Sequence, residues 1–317
     1  MTTWVGIDVS RLNLDIGWLE DGKRVHKRIL NCQRGFEEMI EATPVDAHFV
    51  MEATGTYYFN LALFLHQAGR FVSVVNPLQI KGFLKSELSR SKSDKSDSFS
   101  IARFGQEKSP MPWKPHERDV YELRQLLALD DKLQHQVVEM TNMAEAFSAM
   151  SFYSPEALLR MRDLVHDLKE MRDRTRVDME RIAERLYPRE VEILASIPGV
   201  GKASAIRVAA AMGDFKRFDT SRQAVSFVGL SPTLKQSGTS VRSKGHISRM
   251  GGSRVRGALY MCAMNALRKN AQCKAMWDRM KAKGKHGKVI IVAIMSKLIR
   301  QMWALVTTNQ VYNPNIA

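Results

Sequence analysis

The chain has 317 residues, enough for two domains, and its 44% hydrophobic content can fill real cores. The net charge is +15 and the pI about 9.8, which favours a polyanionic partner. Three cysteines, Cys32, Cys262 and Cys273, with no C-x-x-C pair, suggest neither a disulfide framework nor a structural zinc site.

Residues 1–110 alternate strand-like and helix-like patterns. "WVGIDVS" is a short apolar run that ends at an acid, Asp8. "NLDIGWLE" and "KRVHKRIL" alternate polar and apolar residues as the strands of a hairpin do. "RGFEEMIEA" reads as a short helix. "AHFVMEAT" is a second apolar strand with an acid, Glu52, at its C-terminal end. "YYFNLALFLHQAG" predicts a helix closed by Gly69, and "FVSVVNP" a strand stopped by Pro77. "KSDKSDSFSIARF" has neither Pro nor Gly and predicts a helix that begins near Asp94. The order of elements predicts an α/β sheet domain.

"MPWKP", Met111 to Pro115, marks a boundary. Residues 116–186 hold one proline, Pro155, and no glycine, which predicts two long helices over 117–149 and 155–186. Pattern alone fits either a coiled-coil hairpin or an ordinary bundle. Residues 188–317 are helical and broken by glycine clusters: a helix–turn–helix around "IPGVG", a polar stretch over 228–252 expected as loop, and apolar helices after it. The expected division is therefore 1–110, 111–187 and 188–317. "VIIVAIM", Val289 to Met295, spans seven residues and reads as a buried helix rather than a membrane span. Met1 leads directly into a strand-like run, so no secretory signal is expected, and the few cysteines fit a reducing cytoplasm. The five tryptophans are scattered, as core or anchor residues are.

Charge is concentrated late in the chain. From Lys235 onward stand 16 Lys and Arg and one acid, Asp278, so this segment alone carries +15. The preceding 32 basic and 32 acidic residues cancel. Within it, "KQSGTSVRSKGHISR" is basic and rich in hydroxyls, with Lys235, Arg242, Lys244 and Arg249 suited to phosphate. Spacing alone nominates no serine there as a nucleophile. Arg254 follows, and "MWDRMKAKGKHGK" reads as a basic linker that offers Lys283, Lys285 and Lys288 to nucleic acid. Gly199, Gly201 and Lys202 of the "IPGVG" turn have the form of a helix-hairpin-helix, whose amides can hold a phosphate; a plain helix corner is the alternative. The turn is not a P-loop.

Four acids form the other candidate site. Asp8 and Glu52 each end a strand, where ligand-binding groups collect in α/β sheets. Asp94 and Asp97 are spaced i, i+3 on one helix face. The pair suits a solvated, capped helix start. Gathered with the strand-end acids, it also suits hard divalent cations, which take oxygen ligands and assist phosphoryl transfer in pairs.

"GIDVS", "MEATGTYY", "VVNP", "KSDKSD", "SIPGVG", "FVGLSP", "QSG" and "ISRMGG" occur together in this order. In that combination the chain, over nearly its whole length, resembles the DEDD insertion-sequence transposases, a family that includes the bridge-RNA-guided recombinases and the related Piv-type DNA invertases. The resemblance implies a RuvC-like, ribonuclease-H-type domain, then a coiled-coil helical hairpin, then a helical transposase domain: α/β followed by all-α. It implies that Asp8, Glu52, Asp94 and Asp97 hold Mg²⁺, with Mn²⁺ as a substitute, and that Ser237 of "QSG" is the nucleophile toward a DNA phosphate. It further implies double-stranded donor and target DNA, a structured noncoding guide RNA, a cytoplasmic, nucleoid-associated place in a bacterium or archaeon, and a homodimer or higher oligomer, a tetramer during strand exchange, that builds the site from two chains. Ser93 and Ser98 stand where the family more often has threonine and alanine; neither change removes a ligand. The alternatives are a Piv-like invertase, a RuvC-like structure-specific nuclease with water as nucleophile, and a non-catalytic nucleic-acid scaffold.

Overall fold

The computed structural model describes residues 2–53, 55–86, 94–233, 236–237, 241–242, 246–248 and 251–314; residues 94, 95, 236, 237, 241 and 242 are described in their backbone alone. The chain divides into two units, Met1–His116 and Glu117–Ala317.

In the first unit three strands run consecutively, β1 (Trp4–Val9), β2 (Asn13–Glu20) and β3 (Lys23–Leu30). β2 and β3 form the predicted hairpin. Its two-residue turn is Asp21-Gly22, both at positive φ, which matches the twist of the flanking strands. α1 (Gln33–Ala42), β4 (His48–Glu52), α2 (Phe59–Gln67) and β5 (Phe71–Val75) follow. The sheet order is β3-β2-β1-β4-β5, with β1, β4 and β5 parallel and the hairpin antiparallel. This mixed five-stranded sheet is the expected α/β architecture.

α3 (Pro77–Ser86) was not expected. The proline read as a strand stop also starts a helix: its fixed φ suits the first turn, and the Asn76 Oδ1 accepts the Leu78 amide at 2.9 Å as a cap. α4 (Asp94–Lys108) begins at the aspartate where a helix start was predicted.

Alternation sorts the two faces of the sheet. Val5, Ile7, Leu14, Ile16, Trp18, Phe49 and Met51 pack on one side with Phe36 and Met39 of α1 and Leu61 and Leu65 of α2. α4 covers the other side, where Trp4 and Val50 meet Ile101 and Phe104. Gly6 makes this seat possible, because a Cβ there would collide with the Ser98 carbonyl and the Ala102 amide. Further along the helix, a Cβ at Gly105 would collide with Trp4 and Val50. α4 therefore runs opposite to β1, and its first turn extends past Gly6 toward the C-terminal end of that strand.

The second unit opens with two long helices, α5 (Arg118–Ser148) and α6 (Pro155–Leu186), within a residue of the expected bounds. Ser154 accepts the Ala157 amide and Pro155 occupies the first helical position, so α6 starts where sequence placed it. Asp119 pairs with Arg185 and Asp130 with Arg172, so the two helices lie antiparallel. Buried positions on α5, Leu123, Leu127, Asp130, Leu133 and Val137, recur in steps of four and three.

α7 (Pro188–Ala195), α8 (Lys202–Met212), a single 3-10 turn at Phe215–Arg217, and α9 (Ser221–Val228) come next. The polar stretch expected as loop contains two short antiparallel ladders. β6 (Pro232–Thr233) pairs with β9 (His246–Ile247), and β7 (Gln236–Ser237) with β8 (Val241–Arg242). Strands of two residues are too short to show a period.

α10 (Ser253–Lys269), α11 (Ala271–Ala282) and α12 (Gly287–Thr307) complete the chain. The expected linker over 276–288 is corrected here: Met276 to Ala282 belong to α11, and only the residues up to His286 connect it to α12. α12 is long and apolar enough to cross a membrane by length and composition. Its Ile290, Ile291, Ile294, Leu298, Ile299 and Met302 are buried in the same core as Leu194, Val208, Val228 and Leu259.

Candidate active site

Asp8 and Glu52 sit on neighbouring parallel strands. Ile7 is in register with Met51, so the two acids follow together at the next rung. Each lies two residues beyond a residue on the α4 side, Gly6 and Val50, and therefore shares that face. Along α4, Ser98 overlies Gly6. From Ser98 back to Asp94 a helix rises ~6 Å, close to the ~6.6 Å that a strand advances from Gly6 to Asp8. The backbone at Asp94 is thus brought level with the strand-end acids, and Asp97 stands on the same first turn, next to Ser98. The orphan N–H groups and positive dipole end of that turn favour carboxylates there. Asp97, Asp8 and Glu52 are all partly exposed, which leaves them open to solvent and substrate.

The donor chemistry fits a hard cation, since the acids drawn to this edge are all carboxylates. Among the described residues no group of three or more acids, histidines or cysteines is close enough to hold a metal ion, and the Asp94 side chain lies outside them.

A fifth carboxylate was missed from sequence. Asp15 of β2 is the register partner of Asp8 and lies on the same face. It is buried and bound by His26 Nε2 at 3.1 Å, with Arg28 Nε at 3.8 Å. Like charges opposite each other in an antiparallel pair are unfavourable, and these two partners offset the repulsion. The signal was available: counted back from the Asp-Gly turn, the hairpin register places Asp15 beside Arg28.

In the second unit, Ser237 lies on β7 opposite Val241. The side chains of Ser237 and Arg242, and residues Lys235, Lys244 and Arg249 altogether, lie outside the described residues. Gly199 has φ of +102°, and a Cβ there would strike Ala266 of α10, so the "IPGVG" turn is needed for packing. Gly201 is exposed, with open space around it. Lys202, expected to face phosphate, is engaged by Glu180 at 2.8 Å and Glu184 at 3.0 Å. Those hydrogen bonds, Glu180 first, hold its ammonium above the ordinary lysine value and offset its charge. Arg254 lies 3.2 Å from Asp131. Lys283, Lys285 and Lys288 are exposed.

Two family models match the chain. Residues 5–153 match a DEDD transposase of the IS110 type, and residues 191–278 match the transposase IS116/IS110/IS902 family. The pilin gene-inverting protein of Moraxella bovis is 30% identical over 99% of this chain and 98% of its own length. The chain belongs to the DEDD transposase family of IS110-type elements. It is a DNA recombination enzyme. The transposase for insertion sequence element IS1328 of Yersinia enterocolitica is 25% identical over 98% of both chains. The transposase for IS1111A of Coxiella burnetii is 35% identical over 37% of this chain and 33% of its own.

Proposed function

We propose that this enzyme cleaves and rejoins DNA strands by phosphoryl transfer, with the acids of the first unit and Ser237 of the second as its two catalytic parts. The observation that supports the reading is that Asp8 and Glu52 end neighbouring strands on the face that α4 covers, at the end of the sheet toward which its first turn runs. Asp8, Glu52, Asp94 and Asp97 would hold Mg²⁺ or Mn²⁺. The bound cation supplies positive charge to the scissile phosphate and so favours attack on phosphorus. The Ser237 Oγ forms the new P–O bond, the bridging P–O bond of the strand breaks, and the hydroxyl proton leaves with the departing oxygen. A free serine is a weak nucleophile and gains from such activation. The first unit would be a RuvC-like domain, α5 and α6 a coiled-coil hairpin, and α7–α8 a helix-hairpin-helix. Ser237 follows Asp97 by 140 residues, with the long hairpin between, which suits a site shared between two protomers. A structured noncoding RNA would choose the donor and target duplexes.

A second reading, site-specific inversion, is favoured by one observation. The full-length relative at 30% identity is a gene-inverting protein, while the full-length transposase relative stands at 25%.

The test is to trap the protein on a nicked DNA substrate and look for a covalent protein–DNA adduct. An adduct that forms with the unaltered chain and disappears in Ser237→Ala is the expected result. Cleavage that persists in Ser237→Ala without an adduct would assign the chemistry to water and refute the serine.

A further inference from the structure

Five arginines gather where α5, α6, α8 and α10 meet. Arg172, Arg176 and Arg207 converge on Asp130, which is almost fully buried. Arg207 also donates to Asp131 at 2.5 Å, and Arg254 approaches Asp131 at 3.2 Å. Arg124, one turn before Leu127 on α5, is exposed, and among the described residues it has no ion-pair partner. Four guanidiniums thus pair with two carboxylates, and with Arg124 beside them the group carries an excess of three positive charges.

Three of the five arginines surround a cavity of about 330 Å³. Arg124, Arg207 and Arg254 line it, over a floor of Leu127, Ala210, Ala211 and Val255. Low-dielectric walls beneath charged groups focus the field at the opening. Arg254 and Val255 stand in the first turn of α10, whose amides lack intrahelical partners and whose N-cap, Gly252, offers no side-chain acceptor. Arg217 extends the charge beyond the cavity, stacked 4.6 Å from Phe218 and 4.4 Å from Phe227. Burial lowers its guanidinium below the ordinary value, and the nearby Arg124 charge acts in the same direction against Asp214.

We infer that this cavity is a phosphate-binding site for a nucleic-acid backbone, with Arg124 and Arg254 as its arms and Arg207 as its fixed base. Guanidiniums bind phosphate oxygens through paired N–H groups. Asp130 holds Arg207 in place from below. Asp131 shares Arg207 and Arg254 with the incoming phosphate and competes with it. The hairpin helices, which come from the charge-neutral part of the sequence, then take part in binding through Arg124 at their root.

The inference rests on the reading of the protein as a nucleic-acid recombinase, but its test does not require cleavage. Binding of the full chain is measured in EDTA, on a mixed-sequence DNA duplex and separately on a hairpin RNA, across ~50 to ~200 mM salt. Arg124→Ala with Arg254→Ala should lower affinity about tenfold or more. The log–log salt slope should fall by about 1.8 if duplex phosphates are bound, since each contributes about 0.9. Loss on DNA alone or on RNA alone names which backbone uses the site, and loss on both assigns it to both. Asp131→Asn, which removes the competing anion, should tighten binding severalfold; a merely structural ion pair would not do so. Thermal melting of each variant confirms folding. Unchanged affinity and slope on both nucleic acids in the double variant, or Asp131→Asn that fails to tighten binding, would overturn the site. Failure here leaves the covalent-adduct test of the serine untouched, and the reverse also holds.

Discussion

Asp15 faces Asp8 across the β1–β2 ladder, with His26 as its hydrogen-bond partner and Arg28 as its counter-charge. The His26 side chain is 19% exposed, so its loss of a partner is felt. Asp15→Ala should destabilise the first unit by about 1–3 kcal/mol, the cost of leaving such a group unpaired; denaturant unfolding of the full chain measures it. A change below ~0.5 kcal/mol, the range of ordinary surface substitutions, would show that the cluster contributes little. At the opposite end of the sheet, His48 stacks on Trp4 at 4.3 Å and meets the Ser73 hydroxyl at 3.0 Å. Burial holds its pKa below the ordinary 6.5. Both folded and unfolded chains are neutral there well above that value, so His48 adds no pH dependence at high pH. As pH falls through 6.5 the unfolded chain takes up the proton first, and stability declines until the folded site is also protonated. Unfolding midpoints should therefore drop below pH 6.5, and His48→Gln should flatten that part of the curve.

At the scale of elements, α4 is the piece that carries Asp94 and Asp97 toward the proposed site. Its helical character and its start at Asp94 were legible because nothing in "DKSDSFSIARF" interrupts a helix and an aspartate suits the first turn, at the positive end of the dipole. Its placement was not legible, since that depends on two glycines, Gly6 and Gly105, whose missing side chains admit a backbone from elsewhere in the chain. The same distinction holds for Asp15. Its presence on a hairpin strand could be read, but its position opposite Asp8 depends on how β1 pairs with β2. α5 and α6 were readable because long glycine-free segments with clear stops leave few alternatives. α3 was hidden behind Pro77, and β6 to β9 were hidden by being two residues long. On α5, Asp130 is a buried carboxylate satisfied by three guanidiniums from α6 and α8. Asp130→Ala should cost about 3–5 kcal/mol, as removal of one side of a buried ion pair does. It should lower the melting temperature of the second unit by several degrees or more. An unshifted melt would show that water compensates for the lost carboxylate.

For the whole molecule, the acids and the serine stand on separate units of the chain. The first unit, Met1–His116, holds Asp8, Glu52, Asp94 and Asp97, and the second, Glu117–Ala317, holds Ser237. On the proposed mechanism neither part transfers a phosphoryl group to serine by itself. If the two parts meet between protomers, inactivation of either should be rescued by the other. Strand cleavage by mixed oligomers of Ser237→Ala and Asp97→Asn is the measurement that tests this most directly. Each variant alone should be inactive, and mixed dimers, verified by differential tags, should regain part of the activity because one of their two composite sites keeps both intact parts. Verified mixed dimers that remain inactive would contradict a site shared between chains.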